Sequence, residues 1–105
     1  MGLNGLFGRM LDAGKALPGG IWAEMQAFAV PELKKIVVQI EAIAENAADF
    51  TPAGARALLD MQVKATIGVI VAMTSLTLLL VQDAINAILA AVRDFVNGAV
   101  KLPLL

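Results

Sequence analysis

The sequence predicts an all-α protein built around a helical hairpin, and three observations carry that expectation. Apolar residues recur at three- and four-residue spacing through most of the chain, with polar residues between them. Thr51-Pro52 is a clear helix-start signal, and no further proline follows until Pro103. Between Lys64 and Asp83 runs Ala65–Gln82, ATIGVIVAMTSLTLLLVQ, which carries no charge. We expect a single helical domain over residues 1–105, organised around that uncharged stretch.

Residues 1–30 read as an amphipathic N-terminal segment of one or two short helices. Leu3, Leu6, Phe7, Met10, Leu11 and Leu17 approximate a stripe, with Arg9, Asp12 and Lys15 off it. Gly2, Gly5 and Gly8 weaken that helix. Such a segment can lie on a membrane surface, dock on a partner helix or cover the end of a helical core. Pro18-Gly19-Gly20 stops it. In the next stripe Trp22, Met25, Phe28 and Ala29 share a face. Trp22, the single tryptophan, is an anchor either in a core or interface, or at a water–lipid boundary.

Pro31 suits the first turn of a new helix, and Glu32 complements its dipole. Leu33, Ile36, Val37, Ile40, Ile43, Ala44 and Ala47 then form an apolar face that ends near Asp49. We take 31–49 as the short arm of the hairpin. Thr51 can cap, and Pro52 can open, a long arm over 52–97, which the short connection brings back antiparallel. Unbroken, that arm would run roughly 69 Å at about 1.5 Å per residue. Asn97-Gly98 is its expected stop, and residues 98–105 form an apolar tail, a docking strand or simply a terminus.

The candidate site lies on the long arm. Ile67, Gly68, Ile70, Val71, Ala72, Ser75, Leu78, Leu79, Ile85, Ile88, Leu89 and Val92 are the expected assembly or lipid-facing surface. As one helix, 65–82 spans roughly 27 Å, close to the ~30 Å of a hydrocarbon core. Asp83 is either a buried charge paired with Arg93 or the mark of the segment's end. Arg56 and Lys64 before it, and Arg93 and Lys101 after it, give no orientation bias.

The bulk composition says what kind of surface to expect. Apolar residues make up 59% of the chain and charged residues 16%, against about 45–50% and about 25% in ordinary domains. The excess has to face other chains or lipid. With no histidine, cysteine or tyrosine, the usual general base, thiolate nucleophile and best metal ligands are missing. Glu41, Glu45 and Asp49 align on one helical face but read as solvated. No glycine-rich phosphate loop occurs, and a net charge of −1 gives no field for nucleic acid. We expect no enzyme activity, cofactor, metal, small-molecule substrate or nucleic-acid partner. MGLNGLFGRMLDAGKAL lacks the apolar core of a cleavable signal, and Leu6 stands where a myristoylation motif wants Ser or Thr.

Thr51-Pro52, Leu58-Leu59-Asp60-Met61-Gln62, Ser75, Asp83 and Ala87-Ile88-Leu89, with Trp22 upstream, resemble the subunits of type III secretion needles over about residues 50–93. The apolar character of 65–82 is similar to conjugative pilins. The resemblance implies a structural subunit of an exported or membrane-associated envelope assembly, binding copies of itself. We therefore expect self-assembly through the apolar long helix into a filament or ring, with or without lipid. The alternative is a small membrane protein with one span at 65–82, either pore-forming in the manner of holins or an accessory subunit of a membrane complex.

Overall fold

The computed structural model describes residues 3–105; Met1 and Gly2, on which the myristoylation reading bears, lie outside them. The fold is all-α, as the periodicity predicts. Among the described residues there are four helices, α1 (Leu6–Lys15), α2 (Ile21–Glu45), α3 (Pro52–Met73) and α4 (Leu78–Val100), and no strand. Two single 3₁₀ turns, Pro18–Gly20 and Ala47–Asp49, join the first three.

Helix α1 buries Leu6, Met10 and Gly14, one turn apart. The chain then reverses through Gly19 (φ 77°) and Gly20 (φ 71°), a left-handed pair that side-chain-bearing residues rarely adopt. Helix α2 begins at Ile21 and runs straight through Pro31, so the short arm does not start at that proline. Met25 and Ala29 before it, and Leu33, Ile36, Ile40 and Ile43 after it, stay in phase on one buried stripe. The carbonyl that Pro31 leaves unbonded belongs to Ala27, which is exposed and open to water. Burial of the stripe outweighs the lost bond. Glu32 therefore sits mid-helix, nearly buried, with Lys35 Nζ 2.7 Å from its carboxylate.

Thr51 Oγ1 accepts the Gly54 N–H at 3.0 Å and Pro52 opens α3, as the sequence predicts. The long arm, however, is not one helix. It breaks at Thr74–Thr77, where hydroxyls replace helical hydrogen bonds. Thr74 Oγ1 donates to the Ile70 carbonyl at 2.7 Å and accepts the Leu76 N–H at 3.3 Å, while its backbone is extended. Thr77 Oγ1 then accepts the Leu80 N–H at 3.3 Å and caps α4. No glycine or proline takes part; Gly68, the only glycine mid-arm, stays helical. Helix α4 also runs past Asn97-Gly98 to Val100, because Val92, Val96 and Val100 continue its buried stripe. Lys101, at φ 62°, ends it.

The break replaces a 69 Å rod by a bundle of 41 × 22 × 18 Å. Helix α2 packs on α3, α1 packs on α4 and α2, and α4 folds back along α3. One core results, with Met10, Met25, Leu33, Ile36, Ile40, Ile70, Ile85 and Ile88 fully buried. Arg9 over the Phe95 ring (4.2 Å) and Lys34 over Phe7 (5.2 Å) add cation–π contacts that tie α1 to its two neighbours.

Candidate functional site

The break at Thr74–Thr77 divides the expected surface in two. Ile67, Ile70, Ile85, Ile88, Leu89 and Val92 are buried within the chain's own core and not on its surface. The reason is topological: once α4 returns along α3, the apolar stripes of one long arm cover each other. Gly68, Ala72, Ser75, Leu78 and Leu79 remain exposed, and Val71 is half-buried. Asp83 and Arg93 are both exposed. Ten positions apart on α4, they stand roughly 15 Å apart along its axis and form no buried pair. Trp22 is a core residue whose ring lies against Gly14.

The exposed residues gather at one end of the bundle, around the α3–α4 turn. Val69, Met73 and Leu80, which periodicity along an unbroken helix did not single out, join Leu78 and Leu79 there as large exposed apolar side chains. Three leucines in sequence at a helix start sweep about 200° around the axis, so a single core cannot bury them all. That signal was legible once a break was admitted. Val38 and Met61 are also exposed, but singly and away from the tip in sequence, which is ordinary for a protein surface.

The tip is electrically blank. The nearest charges in sequence are Lys64 below it on α3 and Asp83 on α4. Lys64 lies 2.8 Å from Asp60; that hydrogen bond, and then the carboxylate's charge, raises its pKa above the ordinary 10.5. Among the described residues Asp83 has no cation within salt-bridge distance. The first-turn N–H groups of Leu78 and Leu79 precede any helical acceptor, only that of Leu80 being capped by the Thr77 side chain. The tip therefore combines an apolar surface with bare amide donors, a pairing suited to a wet contact and costly at hydrocarbon depth.

Two shallow grooves flank the α3–α4 pair. One, about 300 Å³, opens beside Leu80 between the Pro18 turn and α4, walled by Leu17, Ile21, Ala84 and Ala87 with Asp83 at its edge. The other, about 310 Å³, lies where the tail returns, among Leu59, Val63, Leu89 and Leu104, with Arg56, Asp60 and Asn86 at its mouth. There Asn97 Oδ1 accepts the N–H groups of Leu104 (3.0 Å) and Leu105 (2.9 Å), and Arg56 donates to the Pro103 carbonyl (3.2 Å). The tail is thus a docked segment, with Leu104 buried.

Among the described residues no helix is long and apolar enough to cross a membrane. The single span expected at 65–82 is corrected by the same break: the stretch is the end of α3, a turn and the start of α4. Glu45 and Asp49 are exposed, and the described residues hold no group of three potential metal ligands. No protein family, curated protein or solved structure matches this chain.

Proposed function

We propose that this chain is a non-enzymatic structural subunit that self-associates through the uncharged α3–α4 tip. The observation that carries the reading is the clustering of Val69, Met73, Leu78, Leu79 and Leu80, all exposed, on a stretch without charge. Large exposed apolar patches mark contact sites, and five of the seven large apolar side chains exposed among the described residues fall on this stretch. Secretion-filament and pilin subunits, which residues 50–93 and the apolar run resemble, also assemble through apolar helices. In this reading the contact surface is a tip and not the length of a rod, so the assembly is a homo-oligomer of compact bundles, including rings or filaments of them.

A second reading, a lipid surface as the partner, is favoured by the run Leu78-Leu79-Leu80 at a projecting turn. A tip of this kind can reach about 5–10 Å into the headgroup boundary. The bare Leu78 and Leu79 amides set it behind a protein partner, since a second protein or water can satisfy them.

Sedimentation velocity of the wild type and Leu79→Ser, without detergent, tests the proposal. The wild type sediments as an oligomer and Leu79→Ser as a monomer, with thermal unfolding changed by less than about 0.5 kcal/mol, since the side chain is exposed. A wild type that stays monomeric at high micromolar concentration overturns the proposal.

A further inference from the structure

We propose that, independently of the tip contact above, two copies of this chain can exchange α4. In the exchanged pair residues 74–77 turn helical and fuse α3 with α4. Each α4 then takes the other's place against α1 and α3.

The chain carries a repeat across the break that a turn has no use for. Val63, Ile70, Thr77 and Ala84 stand seven apart, as do Ile67, Thr74, Val81 and Ile88, and the two sets interleave at four and three. That is the a/d seam of a coiled coil, in phase straight through 74–77. Its six apolar members are buried in the closed bundle, while Thr74 is half-buried and Thr77 exposed. Two helices joined by a turn need share no phase; one fused helix must. About a two-fold axis the fused helices pair antiparallel and remake the seam between chains. Ile70 of one copy meets Val81 of the other, Ile67 meets Ala84, and Thr74 meets Thr77 at the centre.

The turn is held from outside itself. Its own bonds are local: Thr74 Oγ1 to the Ile70 carbonyl, and the Leu76 and Leu80 N–H groups to threonine hydroxyls. Among the described residues the N–H groups of Thr74, Ser75, Thr77, Leu78 and Leu79 donate to no carbonyl or side chain. A helical 74–77 gives each of them the carbonyl four residues before it. The turn has no glycine, proline or positive φ, so its backbone does not resist the change. What keeps the hairpin closed is the buried stripe of α4 packed on α1 and α3. A lone straight chain would expose that stripe, whereas an exchanged pair covers it with the same residues of the other copy. Short hinges of this kind are where exchange occurs.

The area suffices without any new surface. Each α4 buries seven side chains larger than alanine, on the order of 700 Å² at roughly 100 Å² each. Two exchanged helices bring about 1,400 Å² before the receiving surface is counted, above the ~1,000 Å² that a specific interface needs. Because α4 must undock before it can exchange, the two forms interconvert slowly.

The test uses the Leu79→Ser chain, which lacks the tip contact; position 79 lies opposite the seam on the fused helix. The chain has no cysteine, so Met61→Cys and Ala90→Cys, both at exposed positions, take spin labels without background. In the closed hairpin they lie level on helices packed about 8–10 Å apart, and the labels stay within roughly 25 Å. On a fused helix they stand about 43 Å apart along its axis. Labelled chains are diluted into unlabelled ones, so that distances within a chain are read, then unfolded in urea and refolded at micromolar or millimolar concentration. The dilute sample gives a monomer with the short distance. The concentrated one gives a dimer with the long distance that persists on dilution. Adding Leu78→Pro lowers the dimer yield at least tenfold with circular dichroism unchanged, and adding Leu78→Ala does not. Proline suits the first position of α4, and Thr77 before it, at φ −74° and ψ 157°, already has the backbone that precedes proline. Inside a fused helix the same ring removes a bond and strikes the Thr74 carbonyl. The exchange is overturned by the absence of a dimer at millimolar concentration or by a dimer that keeps the short distance. It is equally overturned by a yield that Leu78→Pro leaves unchanged or that Leu78→Ala lowers as much. The distance reading does not depend on the proline variant, and none of these results bears on the tip contact.

Discussion

The same substitution at two points of one helix should have opposite signs. Gly8 and Gly14 both lie in α1. At Gly8 an added Cβ meets nothing within 4 Å, so Gly8→Ala gains the helix propensity of alanine, about 1 kcal/mol. At Gly14 the Cβ would lie 2.5, 2.6 and 2.9 Å from three atoms of the buried Trp22 ring. Those distances are far inside van der Waals contact, and an indole held in the core by its own helix cannot swing away cheaply. Overpacking of this kind costs about 1–3 kcal/mol, which sets Gly14→Ala about 1 kcal/mol below wild type after the same propensity gain. The gap between the two variants, about 2 kcal/mol, is the overpacking cost alone, because propensity cancels. Urea unfolding followed by far-UV circular dichroism reads it as a midpoint difference of about 1 M for a chain of this size. Adding Trp22→Phe to Gly14→Ala should recover part of the loss. Equal midpoints for Gly8→Ala and Gly14→Ala would refute the packing of Trp22 on α1, and with it the placement of the Pro18 turn beside the tip.

Three further outcomes are expected. Thr66→Val raises stability by about 1 kcal/mol in the same urea assay, because the buried Thr66 hydroxyl has no hydrogen-bond partner among the described residues; a loss would mean the hydroxyl is bonded. Asn97→Ala frees the tail by removing its bonds to Leu104 and Leu105, at about 1 kcal/mol each. Hydrogen exchange at those two amides should accelerate at least tenfold, and protection of Ile85 and Ile88 should not change. Sulfate strengthens self-association at a tip without charge, whereas a contact held by ion pairs weakens as salt rises; analytical ultracentrifugation across a salt series separates the two.

Much of the helical content was determined by the sequence alone, because its causes are local. Thr51 caps and Pro52 opens α3 through a contact three residues long. The stripes of α2 and α4 repeat at a period that only a helix can bury on one side, whereas the uncharged run 65–82 holds both the exposed tip and the buried Thr66, Ile67, Ile70 and Val81. The interruption at Thr74–Thr77 was not determined locally. Threonine and serine serve a helix interior or its cap at nearly equal cost, and a difference under about 1 kcal/mol leaves both open. Tertiary packing made the choice: folding α4 back buries Ile85, Ile88 and Val92 in the core with Ile67 and Ile70, a gain of several kcal/mol that a free rod would forgo. Packing overrode Pro31 in the same way, because the stripe on both sides of it was worth more than one hydrogen bond. Helix periodicity and the lack of charge were thus properties of the sequence. Which apolar residues became core and which became the exposed tip was decided only when the long arm folded on itself, since burial depends on what lies opposite a residue and not on its neighbours in the chain.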